Sequence, residues 1–138
     1  MTARIFAVVM TSMAPLFASR HPMIRTVVGH WPNGAVAYER HYAGDREEGT
    51  EIGRWEDGST RFVYHYHRGV MEGVAREWYR GGQLYRENHY VSGHESGQQR
   101  MWWPDGTLRA NYVVRDGRRY GLLGAKGCVE DESTSRAQ

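Results

Sequence analysis

The chain of 138 residues has little cysteine, little lysine and no long apolar run. Its single cysteine, Cys128, excludes an internal disulfide, so packing and hydrogen bonds must hold the fold. Arginine supplies all the cationic side chains except Lys126. This bias fits a surface that makes bidentate or stacked contacts, and it equally fits the codon usage of a genome rich in G and C. The formal net charge of +2 gives no strong field that would attract nucleic acid.

The apolar run nearest the N-terminus is short. It extends over residues 5–18, follows the single charge of Arg4, and is interrupted by polar residues and by Pro15. A membrane-spanning helix needs about 20 apolar residues. We therefore interpret residues 1–18 as a signal peptide and expect a secreted or periplasmic protein. The alternative is an apolar N-terminal element of a cytoplasmic protein.

What the chain has in abundance is glycine and aromatic residues, placed at a fixed period of 24 residues. An aromatic residue, two variable residues and a glycine recur at 31–34, 55–58, 79–82 and 103–106. Two further glycine columns keep the same register: Gly49, Gly73, Gly97 and Gly121, and Gly69, Gly93 and Gly117. Such a period is typical of a repeat architecture, in which each unit buries its apolar face against its neighbours.

The dipeptides at the ends of the four motifs predict β-hairpins. They are Asn-Gly, Asp-Gly, Gly-Gly and Asp-Gly, which favour two-residue type I′ turns with positive φ at both central residues. Because the period is even, each column stays on one face of the sheet. We therefore predict an all-β fold, a single-sheet antiparallel meander of four 24-residue hairpins with about eight strands. One face is expected to be apolar and aromatic, and the other polar.

The same pattern sets the expected boundaries. Residues 19–28 form a lead-in strand, and residues 29–128 form the repeat domain. Its segment from Gly121 to Cys128 begins a fifth unit, loses the pattern and caps the last strand. Residues 129–138 are acidic and then Ser-rich, which predicts a disordered tail.

Two motifs resemble the variant MORN repeat of bacterial YwqK-type proteins. They are Tyr-x-x-Gly-x-x-x-Gly, at Tyr66 and Tyr90, and aromatic-x-x-Gly-x-Leu, at Tyr79 and Trp103. The resemblance covers about residues 29–124. It implies a β-hairpin repeat fold and, since family members are described as antitoxin-like, the binding of a partner protein. The first unit departs from the pattern, because Asp45 stands where glycine is expected and Gly44 comes one residue early.

No metal or other cofactor is expected. His41, His65 and His89 form a column, but equivalent positions lie two strands, or about 9.6 Å, apart. That is too far for one ion with ligand bonds of about 2.0–2.1 Å. His65 and His67 are a closer pair, yet the repeat supplies no third ligand.

Nor does the pattern indicate an enzyme. Cys128 has no histidine in its immediate sequence, so a Cys–His nucleophile is not supported. The Gly-rich segment at residues 121–127 lacks the spacing and the hydroxyl residue of a phosphate-binding loop.

The aromatic and arginine columns are the candidate binding surface, because Trp, Tyr and Arg are enriched at binding hot spots. The predicted partner-binding residues are Trp31, Trp55, Trp78, Tyr79, Trp102, Trp103, Arg76 and Arg100. The alternative is that the aromatic column holds adjacent hairpins together and covers the sheet edge.

We expect a non-catalytic repeat scaffold that binds another protein, in the cell envelope, and that does not bind nucleic acid. One alternative is a cytoplasmic antitoxin-like protein that neutralises a partner toxin. Another is a scaffold that contacts membrane headgroups through Arg and Trp. The sequence leaves the oligomeric state open.

Overall fold

The computed structural model describes residues 23–122. In this range the chain forms one antiparallel β-sheet and no helix, so no helix there is long and apolar enough to cross a membrane. The strands are β1 (Ile24–His30), β2 (Val36–Ala43), β3 (Arg46–Glu47), β4 (Gly49–Arg54), β5 (Thr60–His67), β6 (Val70–Met71), β7 (Gly73–Trp78), β8 (Leu84–Val91), β9 (His94–Trp102), β10 (Leu108–Arg115) and β11 (Arg118–Leu122).

The predicted meander is confirmed. The strand order is β1-β2-β4-β5-β7-β8-β9-β10-β11, with β3 paired to β2 and β6 paired to β5. Four hairpins supply eight strands of this path, and β11 is a ninth that begins the fifth unit. The expected signal peptide, most of the C-terminal cap including Cys128, and the tail lie outside the described residues.

The strand register repeats with the sequence. One cross-strand pair recurs in all four hairpins, as Val27–Arg40, Glu51–Tyr64, Ala75–Asn88 and Gln99–Tyr112. Each of these pairs is displaced by 24 residues from the one before. Because side chains alternate faces with a period of two, the even repeat keeps the whole column on one face.

The turns that close the four hairpins, at 31–34, 55–58, 79–82 and 103–106, are termed tip turns. The prediction of two-residue type I′ turns here is wrong. In the first one, Trp31 N–H donates to the Ala35 carbonyl at 2.8 Å, and Gly34 N–H donates to the Trp31 carbonyl at 2.9 Å. Gly34 has a φ of 85°, whereas Asn33 is not in the positive-φ region. This is a three-residue loop with glycine in the left-handed conformation.

The side chain before the tip glycine explains the difference. In three of the four tip turns the Asn or Asp oxygen accepts the backbone N–H two residues later, as Asn33 does from Ala35 at 2.9 Å. This Asx arrangement holds the Asn or Asp backbone in an ordinary conformation and leaves only the glycine with positive φ. The third tip turn has glycine at both positions, and there Gly81 and Gly82 both have positive φ.

The type I′ turns occur instead at the connecting turns, which join one hairpin to the next. Positive φ occurs at both central residues in three of them, at Arg68–Gly69, Ser92–Gly93 and Asp116–Gly117. In the first connecting turn Gly44 has a φ of 68° and Asp45 is not in the positive region. These φ signs are those of a type II′ turn, which requires glycine at the first central position. The glycine that comes one residue early in the first unit, Gly44, therefore reflects a different turn type at this connection.

A β-bulge follows each tip turn. In the first hairpin Gly29 pairs with Tyr38 but His30 pairs with Val36, so Ala37 has no cross-strand partner. The equivalent unpaired residues in the later hairpins are Arg61, Tyr85 and Arg109. These four are termed the bulge residues. A bulge redirects a side chain relative to the regular alternation of its strand.

Every buried side chain in residues 23–122 lies on one face, which we term the sheltered face. They are Glu51, Ala75, Asn88, Gln99, Ala110, Tyr112 and Val114. The structure confirms aromatic residues on this face but not a wholly apolar surface, since Asn88 and Gln99 are the most buried, at 1% and 0% exposed. The Gln99 amide donates to the His89, Ser96 and Gly97 carbonyls at 2.9–3.4 Å. The polar residue thus satisfies carbonyls beside the register shift between β8 and β9.

Two glycines on the sheltered face lie under aromatic rings. Gly29 is covered by the ring of Tyr38, and Gly53 by the ring of Phe62, so closely that a Cβ at either glycine would overlap the ring. Each glycine is the cross-strand partner of the ring that covers it. The rings therefore pack flat on neighbouring backbone, which suits a sheet with no second layer in residues 23–122.

Candidate functional site

The four tip aromatics, Trp31, Trp55, Tyr79 and Trp103, form a row along one end of the sheet. Two of them are bonded to the next hairpin. Trp31 Nε1 donates to the Arg54 carbonyl at 3.1 Å, and the Tyr79 hydroxyl donates to the Trp102 carbonyl at 3.0 Å. These junction hydrogen bonds join the first hairpin to the second and the third to the fourth. Both support the interpretation that the column holds adjacent hairpins together.

The junction between the second and third hairpins lacks this bond. Trp55 Nε1 is buried and has no hydrogen-bond partner among residues 23–122. A cleft of about 350 Å³ lies at this junction, at the small end of the size range of ligand pockets. We term it the aromatic cleft, and its lining residues are Trp55, Arg61, Phe62, Tyr64, Glu77, Trp78, Tyr79 and Tyr85.

Three of the four bulge residues pack on the tip aromatics of their own hairpins. The guanidinium carbon of Arg61 is 4.8 Å from the centre of the Trp55 ring, and that of Arg109 is 4.5 Å from the centre of the Trp103 ring. In the third hairpin the Tyr85 ring lies 5.0 Å from the Tyr79 ring, tilted by 58°. The bulge thus brings a side chain six residues downstream onto each of these three rings.

A second arginine reaches Trp55 from the neighbouring hairpin. Arg80 belongs to the third tip turn, and its guanidinium carbon lies 5.3 Å from the centre of the Trp55 ring. Arg61 and Arg80 are both exposed, and within residues 23–122 neither forms an ion pair. The Asp57 carboxylate nearby accepts the Ser59 hydroxyl and backbone N–H, and these bonds, with a smaller contribution from the charge of Arg80, lower the pKa of Asp57.

The aromatic lining continues into a stacked pair with a bonded carboxylate. The rings of Phe62 and Tyr64 stack 4.6 Å apart with an angle of 13° between them. The Tyr64 hydroxyl donates to Glu77 at 2.8 Å, and Arg86 forms an ion pair with the same carboxylate. Burial, and then this hydrogen bond, raise the pKa of Tyr64, so the phenol stays neutral. The Glu77 carboxylate therefore already has two partners within the sheet, the Tyr64 hydroxyl and the Arg86 guanidinium.

The structure brings together three of the eight predicted site residues, since Trp55, Trp78 and Tyr79 all line the aromatic cleft. Trp31 and Trp103 lie at other tip turns, and Trp102 provides the carbonyl that Tyr79 contacts. Arg76 and Arg100 lie on the face opposite the sheltered one. Both contact Glu87, at 2.8 and 3.9 Å, and neither lines the cleft.

Sequence reasoning did not identify the other lining residues, Arg61, Phe62, Tyr64, Glu77 and Tyr85. It also did not identify Arg80, which packs on the Trp55 ring. One signal was available for two of them. Arg61 and Tyr85 occupy the same position in the 24-residue period, six residues after a tip aromatic. The residue types in that column are Ala, Arg, Tyr and Arg, so the column shows no common chemistry.

The histidine column makes hydrogen bonds within the sheet. His41 Nδ1 is bonded to the Thr26 hydroxyl at 2.9 Å and His65 Nδ1 to the Thr50 hydroxyl at 3.1 Å, while His89 Nδ1 donates to the Gln98 carbonyl at 2.7 Å. His67 instead contacts Glu48 at 2.9 Å. Across residues 23–122 there is no group of three or more His, Cys, Asp or Glu side chains arranged to hold a metal ion.

Comparison with known protein families, curated proteins and solved structures found no match. The resemblance to the variant MORN repeat therefore stays a prediction that rests on the motifs of this chain.

Proposed function

We propose that this protein is a non-catalytic repeat scaffold that binds another protein through the aromatic cleft. The supporting observation is the cleft itself, which opens at a junction where the hydrogen bond between hairpins is missing. Six aromatic side chains and an exposed arginine line one small concave site. Aromatic and arginine side chains grouped in a pocket are the usual composition of a binding hot spot.

The proposed partner lies in the cell envelope. This part of the proposal rests on the signal-peptide pattern of residues 1–18. Intact-mass analysis of the protein from its host, combined with fractionation, tests it. Loss of about the first 18 residues, with the product outside the cytoplasm, supports an envelope partner. An intact chain in the cytoplasm contradicts it and favours an antitoxin-like role with a cytoplasmic toxin as the partner.

Site-specific photo-crosslinking in the host tests the binding function. A photoreactive phenylalanine analogue replaces Tyr85, which lines the cleft, or Arg118, which is exposed beside a connecting turn at the other end of the strands. We expect the Tyr85 variant to form one dominant crosslinked species that contains a second polypeptide. We expect the Arg118 variant to form none. The same product from both variants, or a product from Arg118 alone, contradicts binding through the cleft.

A further inference from the structure

We infer that the aromatic cleft binds a protein segment in which an aromatic side chain is flanked by a carboxylate. This inference rests on the proposed function and specifies the chemistry of the partner. The aromatic side chain enters the cleft, and the carboxylate of a neighbouring Asp or Glu contacts Arg61 and Arg80. Three independent features of the site support this assignment.

The first feature is the shape and lining of the site. A volume of about 350 Å³ suits one large side chain and its backbone rather than a helix or a flat surface. Rings from two adjacent hairpins line this volume. Trp55 and Phe62 belong to the second hairpin, and Trp78, Tyr79 and Tyr85 belong to the third. Rings in such surroundings favour tilted or offset contacts with another ring, at centroid separations of about 4.5–7 Å.

The second feature is the charge at Trp55. Arg61 and Arg80 approach one indole from two hairpins, at 4.8 and 5.3 Å from the ring centre. An aromatic ring covers the face of a guanidinium but leaves its N–H groups at the edge, where they match the geometry of a carboxylate. Of the two nearby carboxylates, Glu77 forms an ion pair with Arg86, whereas Asp57 keeps its negative charge because the bonds from Ser59 lower its pKa. The charges of Arg61 and Arg80 together exceed the single charge of Asp57, so these groups carry a net positive charge.

The third feature is the unpaired donor. At the first junction a tip tryptophan donates its indole N–H to a backbone carbonyl, whereas Trp55 Nε1 is buried with no acceptor in the part of the chain that the structure describes. A buried N–H without a partner is energetically costly. Because Nε1 is buried in the free protein, the Trp55 ring turns on binding, and a backbone carbonyl of the bound segment then provides the acceptor, as the Arg54 carbonyl does for Trp31.

A set of three peptides tests the inference on the full-length protein. The probe is acetyl-Gly-Asp-Phe-Asp-Gly-amide, the first control replaces both Asp by Asn, and the second replaces Phe by Ala. Titrations are followed by calorimetry and by the NMR signal of the Trp55 indole N–H, which is assigned from its loss in Trp55→Phe. We expect the acidic peptide to bind at least about fivefold more tightly than the Asn peptide, the gain that two partly exposed ion pairs provide. The Ala peptide should bind more weakly still, and the Trp55 signal should shift on binding.

Matched variants test whether the Asp carboxylates of the peptide contact Arg61 and Arg80. Arg61→Gln and Arg80→Gln should each reduce the preference for Asp over Asn, whereas Arg118→Gln, an exposed arginine away from the cleft, should leave it unchanged. Circular dichroism confirms that each variant is folded. Since both residues are exposed, loss of one guanidinium should not prevent folding.

The outcomes are distinct from those of the proposed function. Equal affinity for the Asp and Asn peptides overturns the proposal that a carboxylate contacts the arginines. Equal affinity for the Phe and Ala peptides overturns the proposal that an aromatic side chain enters the cleft. Binding of anionic phospholipid vesicles in place of every peptide overturns the assignment to a protein segment. If no peptide binds while the Tyr85 crosslink is still obtained, the inference is wrong and the proposed function stands.

Discussion

The indole Nε1 of Trp31 lies 3.1 Å from the carbonyl oxygen of Arg54, and this bond joins the first hairpin to the second. Trp55 occupies the equivalent place 24 residues later, yet its Nε1 has no acceptor within the described range, residues 23–122. The chain therefore contains two tryptophans in one column, of which only Trp31 makes the hydrogen bond across its junction. That difference separates the structural role of the column from its proposed role in binding.

Trp31→Phe should destabilise the protein by about 1 kcal/mol more than Trp55→Phe. Both changes remove part of an aromatic ring, but only the first leaves a backbone carbonyl without its donor. The free energy of unfolding, measured in urea for each variant, checks the difference. Equal losses would show that the bond from Trp31 contributes nothing measurable to the junction.

Gly53→Ala should destabilise the sheet by about 1–3 kcal/mol, because the new methyl group overlaps the ring of Phe62. The same glycine change made in a Phe62→Ala background should cost clearly less, since the ring is then gone. Urea unfolding of the two single variants and the double variant gives this comparison. Additive costs would contradict the close packing of ring on backbone.

Arg68→Asn should stabilise the protein by about 0.5–1 kcal/mol. Arg68 has a φ of 52°, a conformation that costs an ordinary residue energy and that asparagine adopts more readily. The same substitution at Arg118, which is not in the positive-φ region, is the control and should give no gain. Thermal and urea unfolding measure both variants. A loss of stability in Arg68→Asn would contradict the type I′ assignment of this turn.

Stability should fall as the pH rises above about 10, the ordinary pKa of tyrosine. Burial, followed by the bond to Glu77, raises the pKa of Tyr64 in the folded state. Above pH 10 the unfolded chain therefore loses the Tyr64 proton while the folded chain keeps it, which favours unfolding. In Tyr64→Phe the decline should be shallower, with a remainder from Tyr66, whose pKa burial also raises. Parallel slopes for the two proteins would contradict this role of Tyr64.

Much of the fold could be predicted because its information is periodic. An even spacing of aromatic and glycine columns is enough to place Glu51, Ala75 and Gln99 on one face of one sheet. The turn types could not be predicted from the dipeptides alone. Asn33-Gly34 and Ser92-Gly93 both end in glycine, but the Asn33 side chain holds its own backbone in an ordinary conformation while Ser92 has a φ of 50°.

The candidate site was only partly predictable. The row of tip aromatics pointed to Trp55 and Tyr79, and Trp78 directly precedes Tyr79, so their residue types and spacing are visible in the sequence. Arg61 reaches Trp55 through a bulge, which breaks the alternation used to assign side chains to faces. The missing junction bond could not be predicted either, since Trp31 and Trp55 have the same residue type in the same column.

The recurrence of one cross-strand pair every 24 residues constrains how such a chain can change in length. Tandem duplication or deletion of one whole unit returns each neighbour to an equivalent contact, from Val27–Arg40 at one end to Gln99–Tyr112 at the other. An insertion of odd length within a strand would instead turn the rest of that strand over and expose its buried residues. A gain of one whole hairpin therefore lengthens the array without disturbing its faces, and each such step adds one more tip aromatic to the row.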